Sequence, residues 1–163
     1  MQLLVSDANI LIDLEEGALL VSMFSLDFQF IIPDILFFEE LVELHAHFLD
    51  YGLEQRTLSS ESMIRAWEMA QIHKRPSRHD LFALSLAKQE LCPLLTGDKD
   101  LKEAAEKEGV EVRGTIWLVE ELVRTKRVSV NIAKSAYDKM EQSGRRLPWK
   151  KAKYRLSKMV FEK

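Results

Sequence analysis

Short apolar runs alternate along the first 125 residues with longer segments in which apolar residues recur every three or four positions. The runs have the length and composition of buried strands, and the longer segments have the periodicity of amphipathic helices. The segment 54–58 is a weaker strand candidate. The clear candidates are residues 3–6, 28–32, 94–96 and 110–112.

This alternation predicts a parallel sheet with helices on both faces. We therefore expect residues 1–125 to form an α/β protein, a three-layer α/β/α sandwich around a mostly parallel sheet of four to five strands. Residues 126–163 differ, because Ser129 caps one helix and Pro148 begins a last, basic one. We interpret them as a C-terminal helical extension of the same protein.

The segment after the second strand predicts one long helix, from an N-cap at Asp34 to about Gly52. In such a helix His45 and His47, two positions apart, point to different sides, so the pair is not predicted to bind one metal ion. His79 is interpreted as an exposed loop residue.

Composition excludes several classes of protein. A content of 47% hydrophobic and 30% charged residues indicates a folded, soluble chain. The apolar runs are too short to cross a membrane. Cys92 is the only cysteine, which excludes an internal disulfide and a thiolate metal site and favours a cytoplasmic location.

Charge is distributed unevenly along the chain. The net charge is −3, yet residues 144–163 hold eight basic residues against Glu162 alone and carry +7, which leaves −10 on residues 1–143. The acidic part is suited to holding cations. The basic extension is suited to contacting phosphates, or to docking on the acidic part or on a partner.

Three aspartates occupy positions where chemistry is expected. Asp7 follows the first strand and Asp98 follows the strand 94–96, at the carboxyl ends where α/β sheets place their sites. Asp80 lies in the first turn of an amphipathic helix capped by Ser77. Each of the three is also a plausible helix cap. Converging carboxylates repel one another unless a cation compensates, and oxygen donors favour Mg²⁺ or Mn²⁺ over Zn²⁺.

These aspartates lie in segments that resemble motifs of the PIN-domain family. The segment 5–13, with Asp7 and then Asn9, resembles the opening motif. Residues 77–87, with Asp80, resemble the third acidic motif, and the segment around Thr96 and Asp98 resembles the fourth. The motifs follow in the family's order and spacing, and the resemblance covers about residues 1–125.

The resemblance implies a second acid in the helix after the second strand. Glu39 and Glu40 compete for that place. Glu39 is preferred because it follows Asp34 by five residues, although both glutamates fit one helix face.

The function that the resemblance implies is a metal-dependent endoribonuclease, such as the toxin of a toxin–antitoxin pair or a nuclease that processes ribosomal RNA. Its cofactor would be Mg²⁺ or Mn²⁺, with Asn9 and Thr96 positioning the ligands. Its partners would be RNA, an antitoxin protein and a second copy of the chain, with no membrane involved. The catalytic and metal-binding acids would be Asp7, Glu39, Asp80 and Asp98.

Two other hypotheses remain at this point. One is a catalytically silent PIN-like module that binds RNA or protein, which the presence of all four acids disfavours. The other is an unrelated flavodoxin-like α/β protein, such as a phosphoryl-transfer receiver. Such a receiver needs a lysine after a later strand, whereas Lys99 directly follows Asp98.

Overall fold

The fold is built on one sheet of five parallel strands. The computed structural model describes residues 1–159. The strands are β1 (Gln2–Ser6), β2 (Phe28–Pro33), β3 (Glu54–Arg56), β4 (Leu94–Leu95) and β5 (Val112–Arg113). Their order is β3–β2–β1–β4–β5, so that β1 is central, and every adjacent pair is parallel. Each of the five candidate runs overlaps a strand, including the weaker one at 54–58, although the run 110–112 shares only Val112 with β5.

Helices occupy most of the remaining chain. The described residues include a π-helical turn (Phe37–Leu41) and eleven α-helices. These are α1 (Ala8–Glu16), α2 (Leu20–Phe24), α3 (Asp34–Leu36), α4 (Val42–His45), α5 (Phe48–Tyr51), α6 (Ser60–Ile72), α7 (Arg78–Glu90), α8 (Lys99–Lys107), α9 (Thr115–Arg124), α10 (Val130–Gln142) and α11 (Trp149–Met159).

The helices form two layers. One layer contains α1, α2 and α9, which pack against one another, and the other contains α6, α7 and α8, with α7 central and lying on β1, β2 and β4. Right-handed crossovers explain this division. The chain moves across the sheet in one direction from β1 to β3 and in the opposite direction from β3 to β5, so the connecting helices of the two halves lie on opposite faces. The expected three-layer α/β/α sandwich is confirmed.

The segment between β2 and β3 differs from the prediction. The expected single helix over 34–52 is wrong: α3 passes into the π turn, α4 ends at His45, and Ala46 and His47 separate it from α5. None of the residues of α4 is buried. Because packing provides most of the stability of a helix in a protein, little holds this segment in one straight helix.

The extension packs on the body of the protein. The inner face of α10 buries Tyr137 and Met140, and α10 contacts both α1 and α9. A Cβ atom at Gly17 would lie 2.6 Å from the Met140 side chain, so glycine permits this close approach. From α11, Arg155 donates two hydrogen bonds, of 2.7 and 2.8 Å, to the buried carboxylate of Glu120.

Arg155 therefore docks the basic extension on the acidic part of the chain, which is one of the roles that the sequence left open. The last four residues of the predicted extension, 160–163, lie outside the described residues. Within residues 1–159, none of the helices has both the length and the apolar composition that crossing a membrane requires.

Candidate metal centre at the carboxyl edge of the sheet

Three of the predicted acids, Asp7, Asp80 and Asp98, lie where the strand order reverses, and the charge of Asp80 acts on Asp7 as that of Asp98 acts on Asp80. From β1 the chain proceeds to β2 and β3 on one side and returns later to β4 on the other. The carboxyl ends of β1 and β4 therefore border a crevice at the topological switch point, where α/β proteins bind their ligands. Asp7 follows β1 there and donates its backbone N–H to the Leu95 carbonyl oxygen at 3.0 Å.

Asp7 and Asp98 are joined through Thr96. Asp7 is 5% exposed, and its Oδ2 accepts the Thr96 hydroxyl at 2.5 Å. The same hydroxyl oxygen accepts the backbone N–H of Asp98 at 3.1 Å. The other Asp7 oxygen, Oδ1, accepts the Ile10 N–H at 3.0 Å and caps α1. Thr96 thus fixes the orientation of Asp7 and the position of the Asp98 backbone, a positioning role that the sequence had indicated.

Asp80 and Asp98 each cap a helix with one carboxylate oxygen. Oδ1 of Asp98 accepts the Leu101 N–H at 3.0 Å. Asp80 completes a capping box with Ser77, whose backbone N–H it accepts on Oδ2 at 2.9 Å. The second oxygen of each aspartate makes no hydrogen bond within residues 1–159. Capping therefore fixes both side chains and leaves an oxygen of each for another partner.

The carboxylates oppose one another's ionisation. The pKa of Asp7 is raised to about 7, mainly by burial; the hydrogen bonds from Thr96 and Ile10 lower it, and the charges of Asp80 and Asp13 add to the rise. Burial also raises the pKa of Asp80, with a contribution from the charge of Asp98. A divalent cation would relieve both the desolvation and the repulsion, so these oxygen donors fit Mg²⁺ or Mn²⁺.

Asp13 is a member of this acidic set that the sequence analysis did not single out. It is 7% exposed and accepts hydrogen bonds from the Thr115 hydroxyl at 2.7 Å and from Arg145 Nε at 2.6 Å. Arg145 also donates to the side-chain oxygen of Asn9 at 3.0 Å. An acid inside the apolar run of α1 was the sequence signal that could have identified Asp13. Its arginine partner lies 132 residues away along the chain.

A pocket of about 420 Å³ opens beside these residues. Side chains of α1 and the residues that follow β4 form one wall, and the link between α10 and α11 forms the other. The lining residues are Asn9, Asp13, Gly97, Asp98, Gly144, Arg145, Arg146 and Leu147. A larger cavity of about 710 Å³ lies at the amino ends of the strands, beside Gln2 and Pro93, and contains none of the predicted acids.

Glu39 and Glu40 both face the start of α7. Glu39 accepts hydrogen bonds from Arg78 Nη2 at 3.0 and 3.3 Å and lies 3.2 Å from His79 Nε2. Glu40 Oε1 lies 2.7 Å from the other ring nitrogen of His79. The interpretation of His79 as an exposed loop residue is wrong, because it lies in the first turn of α7 between the two glutamates, with its side chain 22% exposed. Both glutamates therefore approach the neighbours of Asp80.

A second group of possible metal ligands lies elsewhere. In residues 1–159, the one set of three ligand atoms that all lie within 4.8 Å of one another belongs to Glu15, His45 and His47. The prediction that these histidines cannot share a ligand site is wrong, because α4 ends at His45 and the chain turns before His47. Asp7, Asp80 and Asp98 do not form such a set, so a cation at this edge would be held in part through water, as Mg²⁺ often is.

The fold and the edge define an α/β protein with a set of carboxylates at its switch point. A family model of the PIN domain, DUF3368, matches residues 3–160. The chain belongs to the PIN-domain family. PIN domains are typically nucleases and generally use divalent metals. The match extends through α10 and α11.

A solved structure shows the same fold. The chain is similar to a PilT N-terminus domain protein from the hyperthermophilic archaeon Sulfolobus solfataricus P2, with a TM-score of 0.50 and 17% sequence identity. The alignment covers 74% of this chain and 92% of that one. Among curated proteins, none matches the sequence.

Proposed function

We propose that this PIN domain is a metal-dependent endoribonuclease that hydrolyses RNA phosphodiester bonds. Its catalytic and metal-binding acids are Asp7, Glu39, Asp80 and Asp98, with Mg²⁺ or Mn²⁺ as the cofactor. The observation that supports the proposal most is the Asp7–Thr96–Asp98 chain of hydrogen bonds at the switch point. It holds a buried carboxylate whose pKa is raised to about 7, in part by the charge of Asp80.

The acids and Thr96 have different roles at the proposed site. Asp7 and Asp98 would hold the cation directly, and Glu39 and Asp80 would complete its surroundings, in part through water. When bound, a divalent cation lowers the pKa of water and neutralises charge on the phosphate. Thr96 donates to Asp7 and so keeps that carboxylate aimed at the cation. Capping by Asp98 and Asp80 limits the rotation of both side chains, which preorganises the site.

RNA as substrate is supported by the family and by the position of the extension. Arg145 is engaged with Asp13 and Asn9, while Arg146 is exposed and lines the same pocket as Asp98. Lys150 and Lys151, at the start of α11, are exposed as well. Basic side chains beside the acidic edge would contact the phosphate backbone of an RNA that approaches the bound metal.

We further propose that the protein forms a homodimer. On α6 the apolar side chains of Met63, Ile64 and Trp67 share one face and are 39%, 60% and 66% exposed. Such a stripe is typical of an interface. The toxin role, its antitoxin partner and a cytoplasmic location are proposals that the resemblance and the single cysteine support.

Cleavage of structured RNA tests the proposed activity. Wild type is incubated with RNA in Mg²⁺ or Mn²⁺, with EDTA as the metal-free arm, beside Asp7→Asn and Asp98→Asn. Asp100→Asn is the matched control, because Asp100 lies two residues after Asp98 and is partly exposed. We expect cleavage by wild type and Asp100→Asn that falls at least about 100-fold in both site variants.

The catalytically silent module predicts a different result. RNA would be retained in a gel-shift assay and stay intact in every metal, with wild type and the Asp7 variant indistinguishable. That pattern would contradict the enzymatic proposal and support RNA binding alone. Cleavage that persists in EDTA would contradict the metal dependence.

A further inference from the structure

The far end of α1 carries a cluster that the proposed nuclease chemistry does not use. Glu15 lies in the last turn of α1, eight residues after Asp7 and so about 12 Å along the helix. His45 and His47 reach it from the turn between α4 and α5. His45 Nδ1 lies 3.2 Å from Glu15 Oε1, and His47 Nε2 contacts Glu15 Oε2.

We propose that Glu15, His45 and His47 form a second metal site, specific for a transition-metal dication of the Zn²⁺ class. Two imidazoles and one carboxylate are a donor set that binds Zn²⁺ in proteins, whereas Mg²⁺ favours oxygen ligands alone. The three ligand atoms lie within 4.8 Å of one another. In a tetrahedral zinc site they lie about 3.3 Å apart, so metal binding requires them to approach one another by at most about 1.5 Å.

The histidine rings are held in place by aromatic neighbours. His45 stacks on Phe48, with ring centroids 4.9 Å apart and planes 19° apart. His47 meets the edge of Phe48 at 4.9 Å and of Tyr51 at 6.3 Å. Phe48 is fully buried. A ligand set that is positioned before the metal arrives loses less conformational freedom on binding.

The nitrogen of His45 lacks a hydrogen-bond partner. Nδ1 is buried and, within residues 1–159, makes no hydrogen bond of good geometry, although it faces Glu15. A buried polar atom without a partner costs free energy, and a metal ion would satisfy it.

Solvent reaches the cluster, so a cation can enter. The side chains of His45, Glu15 and His47 are 18%, 29% and 41% exposed. With three protein ligands a tetrahedral ion keeps one position for water. The bound ion would fasten the α4–α5 turn to α1, in the segment where the predicted long helix is interrupted.

The test uses full-length protein without a histidine tag, stripped with EDTA and titrated with Co²⁺ in excess Mg²⁺. Tetrahedral Co²⁺ absorbs visible light, and Zn²⁺ should displace it. We expect one equivalent of Co²⁺ to give this absorption in wild type. Because His47 is the most exposed ligand, His47→Ala is the main variant, and we expect its affinity to fall about 100-fold or more. Far-UV circular dichroism confirms that it folds.

Three further variants locate the ion. Glu15→Gln keeps the shape of its side chain and should weaken Co²⁺ binding as His47→Ala does. His73→Ala is the matched control, since His73 pairs with Glu108 at 2.8 Å without a second histidine, and it should bind like wild type. Asp98→Asn should also bind like wild type. Absence of saturable absorption in wild type, its persistence in His47→Ala, or its loss in Asp98→Asn would each overturn the proposal.

Discussion

The two ends of helix α1 gather ligand atoms in different ways. At the start of the helix, Asp7 and Asp13 are the buried members of a set of carboxylates at the edge of the sheet. At the last turn, Glu15 meets two imidazoles and remains partly exposed. At the first end, neighbouring strands bring the acids together. At the second end, the interruption between α4 and α5 brings the two histidines to Glu15.

The comparison shows that burial, more than the number of acids, decides what a cluster requires. At the buried end, desolvation and, to a smaller extent, repulsion raise the pKa of Asp7, so that a proton or a cation stabilises the buried carboxylate. At the exposed end, water solvates part of the charge, and nitrogen ligands set the preference for a softer ion. One helix thus separates the proposed oxygen site from the proposed site with mixed nitrogen and oxygen ligands.

The largest expected effect is the pH dependence of stability at the buried end. Because the folded-state pKa of Asp7 is about 7 and the ordinary value is 3.8, the folded protein binds this proton more tightly than the unfolded chain. Its contribution to stability is therefore fully present below pH 4 and is lost as the pH rises through 7, by up to about 4 kcal/mol.

Urea unfolding in EDTA at several pH values measures this effect. The stability of Asp7→Asn relative to wild type should increase between pH 5 and pH 8. Asn9→Ala is the control, because it changes an exposed residue of α1 without removing a titratable group, and it should keep the wild-type slope. If the free energy of unfolding changed with pH in the same way in wild type and Asp7→Asn, the result would contradict the contribution of Asp7 to the pH dependence of stability.

A smaller effect on stability is expected when Arg145, the partner of Asp13, is replaced. Arg145→Ala removes the partner of the buried Asp13, and we expect a loss of about 2 kcal/mol in the free energy of unfolding. The loss stays below that of a fully buried pair, because Arg145 is partly exposed and Asp13 keeps Thr115. The exposed neighbour provides the control, with Arg146→Ala costing less than about 0.5 kcal/mol. Equal losses in the two variants would contradict this role of Arg145.

The smallest expected effect distinguishes the two glutamates of the π turn. If Glu39 completes the metal site, Glu39→Gln should reduce the rate of RNA cleavage about 10-fold or more. Glu40→Gln, which changes a neighbouring contact to the same histidine, should reduce it less than about 3-fold. The reverse order would assign the second acid to Glu40.

The sequence predicted the features that depend on local rules. Asp7, Asp80 and Asp98 follow strands or begin helices, and hydrogen bonds to nearby backbone fix all three. Alternation of strands and helices likewise sufficed for the parallel sheet, because crossover handedness leaves few topologies.

Features that depend on distant contacts were not predicted. Nothing near Arg145 in the sequence indicates that it binds Asp13, 132 residues away. A helical projection separates His45 from His47, and it fails because α4 ends between them. The π turn is equally invisible to a pattern with a period of 3.6 residues.

The central claim is that the buried end of α1 holds a divalent cation with Asp98 as a ligand. Titration of the EDTA-treated protein with Mn²⁺, followed by the loss of its free electron paramagnetic resonance signal, tests it most directly in His47→Ala, where the second cluster is disabled. We predict saturable binding there that weakens at least about 10-fold when Asp98→Asn is added and stays unchanged with Asp100→Asn. Equal Mn²⁺ affinity with and without Asp98 would contradict the claim.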